Sequence, residues 1–413
     1  MNRTDPEEAP LNLPMSAAIP QSPHGETRDD GRALHVSRWV VIACGLIVTA
    51  APLVLLLPNR DWFFTPEGYI DPWVYVGFFR QYLDLDYRST DYKLARLPWI
   101  LTGFVVTQVF TPVTAAYVLH AVFLCATPLA LFAVMQVLFR RPVLAAVTAM
   151  CLGFYTQGHG SGSWDYHNTS SGALYLATVA LSVLPAATRG HRLLLLAVGG
   201  MAAVTVHNNI TFANLLPSLA YLHLRVAYLR TGKVPSVRAL VARAAWAFAG
   251  VLLATLLLGL VNVIVGRHFI FFSDLVSMLQ RYLTNPAFQA GRPLSNGGWV
   301  VTAGHLALPA AIFLGGIAYV LVNRRPVVDR SGRIASALVE QYLPLPVLWA
   351  VWQTAGHTAL DWDYMAYALI PTGFLAFGGL LHLGWPAWCE RHWVSVVLGS
   401  VIVLTVCLSV EQI

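Results

Sequence analysis

The chain has 413 residues, of which 57% are hydrophobic and only 11% are charged. A soluble globular protein carries about a quarter of its residues as charged side chains, so this composition excludes a soluble fold and predicts an integral membrane protein. The formal net charge of +6 is typical of basic loops beside anionic lipid headgroups, and we expect no nucleic-acid partner.

The N-terminal segment differs in composition from the rest of the chain. Residues 1–37 are rich in proline, serine and charged side chains and contain no apolar run, which predicts a disordered cytoplasmic tail. Residues 39–57 form the first apolar run, long enough to cross a hydrocarbon core of about 30 Å as a helix. The charged stretch before it is too long for a signal peptide, so we expect an uncleaved anchor and a transmembrane domain over residues 38–413.

Further apolar runs follow the first one along the chain. Eight of them lie at residues 170–187, 193–207, 208–228, 244–266, 300–322, 333–355, 364–383 and 393–410. Four loops between these runs are rich in arginine, and the positive-inside rule assigns those loops to the cytoplasm. The predicted outer loops are then residues 59–96, 158–169, 267–299 and 356–363.

Residues 97–157 contain three apolar segments where an even number of crossings is required. The segments are 97–112, 114–139 and 142–157. If Arg140 and Arg141 are cytoplasmic, the first segment lies in the interface or re-enters; if they are external, the third segment does. Either alternative gives an all-α polytopic protein with about eleven transmembrane helices.

The first outer loop contains a candidate catalytic carboxylate, Asp71. Asp71 followed by Pro72 is typical of a helix N-cap, and it predicts an amphipathic helix on the membrane surface. The apolar side of that helix would carry the residues Trp73, Phe78, Phe79, Tyr82 and Leu83. Capping alone would explain Asp71, but a capping carboxylate can also act as a base.

The other outer loops concentrate further polar side chains. In the second, Asp165, His167 and Asn168 follow a glycine-rich stretch that would let the backbone approach a ligand, although capping explains them as well. Asp363 begins a later span. The arginines of the loop 267–299 suit either an interfacial helix against headgroups or a clamp for one phosphate; they are Arg267, Arg281 and Arg292.

Four short motifs resemble the lipid-linked sugar transferases of the GT-C fold. Ile70-Asp-Pro-Trp-Val-Tyr and Gly162-Ser-Trp-Asp-Tyr-His are similar to two motifs of the catalytic subunit of oligosaccharyltransferase. Asp91-Tyr-Lys-Leu-Ala-Arg-Leu-Pro-Trp-Ile and Tyr364-Met-Ala-Tyr-Ala-Leu-Ile-Pro371 look more like bacterial relatives of the protein mannosyltransferases. The matches cover about a third of the chain, chiefly residues 59–190, and no equivalent of the large C-terminal soluble domain of oligosaccharyltransferase is present in the sequence.

The resemblance implies roles for two of these residues. Asp71 would be the catalytic base, and Asp165 would bind a divalent metal, magnesium or manganese, or the substrate. His167 stands where the family has a second acid, so Asp165 and His167 would form a metal or acceptor site. Histidine suits magnesium poorly, which leaves metal dependence open. Cations near the departing phosphate are needed as well, and the outer loops supply them. The residues that we expect to bind substrate are Lys93, Arg96, Arg281, Arg292, Asp363 and Tyr364.

The resulting hypothesis is an inverting glycosyltransferase in the bacterial cytoplasmic membrane. It would use a polyprenyl-phosphate-linked sugar and an acceptor on the outer face, where a carboxylate takes the acceptor proton and cations hold the departing phosphate. A polytopic lipid or small-solute transporter is the alternative function, and a structural subunit that presents the outer loops is another. No span carries the row of ionisable groups that lines many ion pathways, which favours the enzyme.

Overall fold

The described part of the chain is all-helical. The computed structural model describes residues 37–56, 70–84, 92–155, 166–185, 191–265, 267–284, 307–322, 329–355 and 362–411. No strand occurs within these ranges, which confirms the predicted all-α class. The predicted disordered tail lies outside them, apart from Ser37.

The α-helices are numbered here in chain order. They are α1 (Arg38–Leu56), α2 (Ile70–Arg80), α3 (Leu97–Thr107), α4 (Pro112–Phe139), α5 (Pro142–Gly153), α6 (Tyr166–Val183), α7 (His191–Asn208), α8 (Leu216–Thr231), α9 (Val237–Ile264), α10 (Ser273–Thr284), α11 (Ala307–Val322), α12 (Arg330–Tyr342), α13 (Pro344–Ala355), α14 (Trp362–Gly384), α15 (Ala387–Arg391) and α16 (Trp393–Glu411). Two 3₁₀-helices, Tyr92–Ala95 and Ile210–Leu215, precede α3 and α8.

Several described helices suit a membrane environment. Three stretches, Pro112–Phe139, Val237–Ile264 and Arg330–Val351, are long and apolar enough to cross a bilayer. Shorter apolar helices occur within α1, α3, α5, α11, α14 and α16. These stretches are compatible with a membrane protein, and the number of about eleven crossings stays a prediction.

The core is built around α5. This helix packs against α1, α4, α14 and α16, and all but two of its residues are buried. Its first turn is capped from a distant part of the chain: Glu390 accepts hydrogen bonds from the backbone N–H groups of Val143 and Leu144, both at 3.2 Å, and from Trp385 Nε1 at 3.0 Å. A carboxylate at a helix N-terminus satisfies free donors and complements the helix dipole.

Basic residues gather at one end of the bundle. Arg230 is close to Arg140 and Arg330. Burial lowers the pKa of Arg230, and the positive charges of these two arginines lower it further. Arg141 lies nearby and donates to the Trp385 carbonyl at 3.4 Å. We call this the arginine-rich end. It places Arg140 and Arg141 with two arginines of the predicted cytoplasmic loops, as the first alternative for residues 97–157 requires.

The helices of the first and third apolar segments are both short. α3 has 11 residues and α5 has 12, which extend about 16 Å and about 18 Å at 1.5 Å per residue, against a hydrocarbon core of about 30 Å. α3 packs against α2, α4 and α7. Helix length therefore does not decide which of the two segments fails to cross.

A second hydrophobic cluster lies at the C-terminal end of α9, opposite to the arginine-rich end. Its buried members include Tyr75, Phe79, Tyr82, Trp99 and Phe271. Trp99 packs edge-on against Phe79, with ring centroids 5.6 Å apart. We call this the aromatic end. Its core comes mainly from α2 with the turn after it, α3 and α4, and Phe271 joins it from the segment after α9.

The helix predicted in the first outer loop is present as α2, with two differences. It begins at Ile70, so that Asp71 lies within its first turn instead of before it. Trp73 and Leu83, predicted on the apolar side, are 50% and 56% exposed. The buried face instead follows a helical i, i+3, i+4, i+7 spacing, because that is the face that packs on α3. Its members are Tyr75, Phe78, Phe79 and Tyr82.

Candidate functional site

Arg96 lies against the helix that carries Asp71. Its Nη1 donates a hydrogen bond to the Tyr75 hydroxyl, and its guanidinium carbon is 5.7 Å from the centroid of the Tyr75 ring. Tyr75 follows Asp71 by four residues, and residues at this spacing share one face of a helix. The side chain of Asp71 lies outside the described residues, but its place in α2 puts it one turn from the Arg96 contact.

A second arginine contacts the turn that follows this helix. Arg267 is only 8% exposed. Its Nη2 donates to the Tyr82 carbonyl, and its guanidinium carbon lies 4.4 Å from the centroid of the Tyr82 ring. Burial lowers the pKa of Arg267 to about 10, so the side chain remains positively charged at neutral pH.

Asn262 fixes the position of this second arginine. The Tyr82 hydroxyl donates to Asn262 Oδ1 at 3.2 Å, and Asn262 Nδ2 donates to the His268 carbonyl at 2.7 Å. The backbone N–H of Arg267 donates to the Asn262 carbonyl at 3.0 Å. Asn262, a buried polar residue near the end of α9, therefore holds the backbone that places Arg267 on Tyr82.

The two arginines define the candidate site. Tyr75 lies in α2 and Tyr82 in the turn that follows it, and a guanidinium group lies over each ring. Among the predicted donor-binding residues, the structure brings Arg96 to this face. Arg267 was predicted only as part of a basic loop, and its contact with Tyr82 could not be found from local sequence.

The predicted residues Lys93 and Arg281 belong to neighbouring elements. Lys93 lies in the 3₁₀-helix Tyr92–Ala95, and α10, which contains Arg281, packs against that helix. α10 has one polar and one apolar face, as expected for an interfacial helix. The side chain of Arg281 and the whole of Arg292 lie outside the described residues.

A buried amide network holds the start of α6. Asn209 Nδ2 donates to Asn168 Oδ1 at 2.6 Å, and Asn208 Nδ2 donates to the hydroxyl groups of Ser170 at 2.7 Å and Ser171 at 2.6 Å. All five side chains are buried. Asn168, predicted as part of the second outer-loop cluster, thus connects α6 to the end of α7.

The other members of that cluster are less fully described. Asp165 lies outside the described residues, and His167 lies in the first turn of α6 without a described side chain. The same holds for Asp363 and Tyr364 in the first turn of α14. No group of three or more metal-ligating side chains occurs among the residues that the structure describes, and the predicted ligands Asp165 and His167 are not among the side chains searched.

His207 links the amide network to the aromatic end. His207 Nε2 and Thr255 Oγ1 share a hydrogen bond of 3.0 Å, and the imidazole ring lies 4.9 Å from the Phe271 ring. α7 ends at Asn208, directly after His207. Its position gives His207 a structural role between α7, α9 and the segment before α10.

Comparison of the chain with protein-family models, with curated proteins and with solved structures finds no match. The resemblance to GT-C transferases therefore rests on the four short motifs and their order along the chain.

Proposed function

We propose that this protein is a membrane glycosyltransferase that transfers a sugar from a polyprenyl-phosphate donor to a glycan, lipid or protein acceptor. The observation that supports the proposal most strongly is the contact between Arg96 and Tyr75, one helical turn from Asp71. It gives a cation beside the helix face on which the candidate base is carried. An inverting sugar transfer from a phosphate carrier needs such a pair.

In this proposal the reaction is a single displacement. Asp71 takes the proton from the acceptor hydroxyl as the oxygen attacks the anomeric carbon of the sugar. The bond from that carbon to the phosphate oxygen breaks, and the polyprenyl phosphate leaves with the bonding electrons. Arg96 and Arg267 stabilise the negative charge that develops on the phosphate, because guanidinium groups match phosphate oxygens.

Lys93, Arg281 and Arg292 complete the proposed donor site, and Asp363 and Tyr364 contribute to the acceptor side. Asp165 and His167 would hold a divalent metal if one binds. The aromatic end then faces the outside of the cytoplasmic membrane, the arginine-rich end faces the cytoplasm, and the chain crosses the bilayer about eleven times.

Reconstitution of the full chain in liposomes tests the proposal. A panel of polyprenyl-phosphate hexoses with radiolabelled sugars would be supplied with an envelope extract as acceptor, and free polyprenyl phosphate and labelled product would be measured. We expect loss of the sugar from at least one donor, dependent on the protein. Movement of intact donor across the bilayer without covalent change would instead identify a transporter.

A further inference from the structure

A cavity of about 880 Å³ lies between α7, α8 and α9, away from the candidate site. Aliphatic and aromatic side chains form most of its walls. Two large side chains at its rim, Leu224 and Phe248, are 36% and 60% exposed, so the cavity opens on the surface that would face lipid. Its size lies within the range of about 300–1,000 Å³ that ligand pockets occupy.

One end of this cavity is polar and basic. His223 Nδ1 donates to the Ser182 carbonyl at 2.7 Å, which leaves Nε2 directed away from that bond. His223 Nε2 and Arg243 Nη1 are both fully buried and have no hydrogen-bond partner among the described residues. Both side chains line the cavity. A buried guanidinium N–H without an acceptor is costly, so this end is suited to an anionic ligand.

The charges around this end have one sign. The described residues that line the cavity include no carboxylate. Arg243 also lies close to His191 and His223. Arg230, at the arginine-rich end, donates to the Val183 carbonyl next to Ser182. The basic end of the cavity therefore belongs to the arginine-rich end of the bundle.

The apolar part of the cavity has the length of one lipid chain. It extends from Arg243 to Thr255 on α9, which is about 18 Å at 1.5 Å per residue. Half of a hydrocarbon core is about 15 Å. Gly199 and Gly250 bring α7 and α9 into direct contact beside it, since a Cβ on Gly199 would lie 1.8 Å from the Ala247 carbonyl oxygen.

We propose that this cavity binds one anionic phospholipid from the leaflet at the arginine-rich end. The phosphate accepts a hydrogen bond from Arg243 Nη1, beside the His223 ring. One acyl chain lies along α7 and α9 toward Thr255. The head position distinguishes this lipid from the sugar donor, because Arg243 lies at the end opposite to Arg96 and Arg267.

Native mass spectrometry of the purified full chain tests this assignment. Delipidated protein would be titrated with phosphatidylglycerol and with phosphatidylcholine of the same acyl chains, and we expect tighter binding of phosphatidylglycerol. Arg243→Ala should weaken phosphatidylglycerol binding by about tenfold or more, the usual effect of losing a hydrogen bond to a charged group. Arg238→Ala is the matched control, since Arg238 is exposed on the same helix and does not line the cavity.

A second variant tests the apolar part independently of the charge. Ala220→Trp fills the cavity from α8 and should reduce binding of both lipids, with the secondary structure by circular dichroism unchanged. Equal affinity for the two lipids, or equal affinity of Arg243→Ala and Arg238→Ala, would overturn the proposal. So would Arg243-dependent displacement of phosphatidylglycerol by polyprenyl phosphate, which would assign the cavity to the donor.

Discussion

Arg96 and Tyr75 are joined by a hydrogen bond between the guanidinium group and the phenol, one turn of α2 beyond Asp71. The contact depends on the packing of α2 against α3, because Arg96 immediately precedes α3. A cation is thereby fixed beside the helix that carries the candidate base. Removal of the Tyr75 hydroxyl would perturb the proposed site without removing the charge of Arg96 or of Asp71.

Replacement of Tyr75 by phenylalanine should impair use of the donor. The ring and its packing remain, but Arg96 loses its hydroxyl acceptor and is held less firmly. We expect the KM for the polyprenyl-phosphate sugar to rise by about tenfold, since a hydrogen bond to a charged group contributes about 1.5–3 kcal/mol. Steady-state kinetics in liposomes would measure this change.

Tyr228→Phe is the control for that experiment. The Arg225 guanidinium carbon lies 5.9 Å from the centroid of the Tyr228 ring. This pair lies at the arginine-rich end and resembles the Arg96–Tyr75 pair of the aromatic end. Its KM should equal that of the parent protein. Equal KM values in the two variants would remove Arg96 from the donor site.

Replacement of Arg267 by lysine should loosen the aromatic end. Lysine keeps the charge but cannot stack its head group on Tyr82 while donating to the Tyr82 carbonyl as the guanidinium does. We expect a loss of about 1–3 kcal/mol in stability. Amide hydrogen exchange in α2 should become faster. Exchange unchanged from that of an Arg238→Lys control would show that the Arg267 contacts contribute nothing to this packing.

Replacement of Glu390 by glutamine should destabilise the central helix. The amide cannot accept all three hydrogen bonds that the carboxylate accepts from Val143, Leu144 and Trp385. The expected cost is about 1–3 kcal/mol, measured as a lower unfolding temperature in detergent. Asp84→Asn, at an exposed carboxylate, should leave that temperature unchanged. Equal unfolding temperatures for the two variants would contradict the capping role.

Adjacent glycines on α7 allow a matched test of the contact with α9. A Cβ on Gly199 would lie 1.8 Å from the Ala247 carbonyl oxygen, whereas a Cβ on Gly200 meets its nearest atom, the Gly250 carbonyl oxygen, at 3.6 Å. Gly199→Ala should therefore lower the free energy of unfolding by about 1–3 kcal/mol. Gly200→Ala should have no adverse effect. Similar unfolding temperatures for both variants would show that α7 and α9 separate easily.

The parts of the fold that could be predicted from sequence depend on local signals. Residues 39–57 form an apolar run of membrane length, and α1 occupies nearly the same range. The predicted span 333–355 is divided at Leu343, because proline at 344 begins a new helix. Pro344 is a local signal for this break, whereas the apolar character of the stretch continues across it.

The contacts that build the candidate site depend on distant parts of the chain. Arg267 and Tyr82 are 185 residues apart, and Glu390 and Val143 are 247 apart. No local pattern relates such residues. Local sequence also does not show which side of α2 packs on α3. That side includes Tyr75, whereas Trp73 and Leu83 are exposed.

The central claim is that Asp71 is the base for sugar transfer. Asp71→Asn keeps the size of the side chain and removes its basicity, and Asp84→Asn is the control at another carboxylate of the same loop. The decisive measurement is the rate of single-turnover transfer from labelled polyprenyl-phosphate sugar in liposomes. We predict that Asp71→Asn lowers this rate at least about a hundredfold while donor binding and the Asp84→Asn rate stay at the parent level. Transfer by Asp71→Asn at near the parent rate would contradict the assignment.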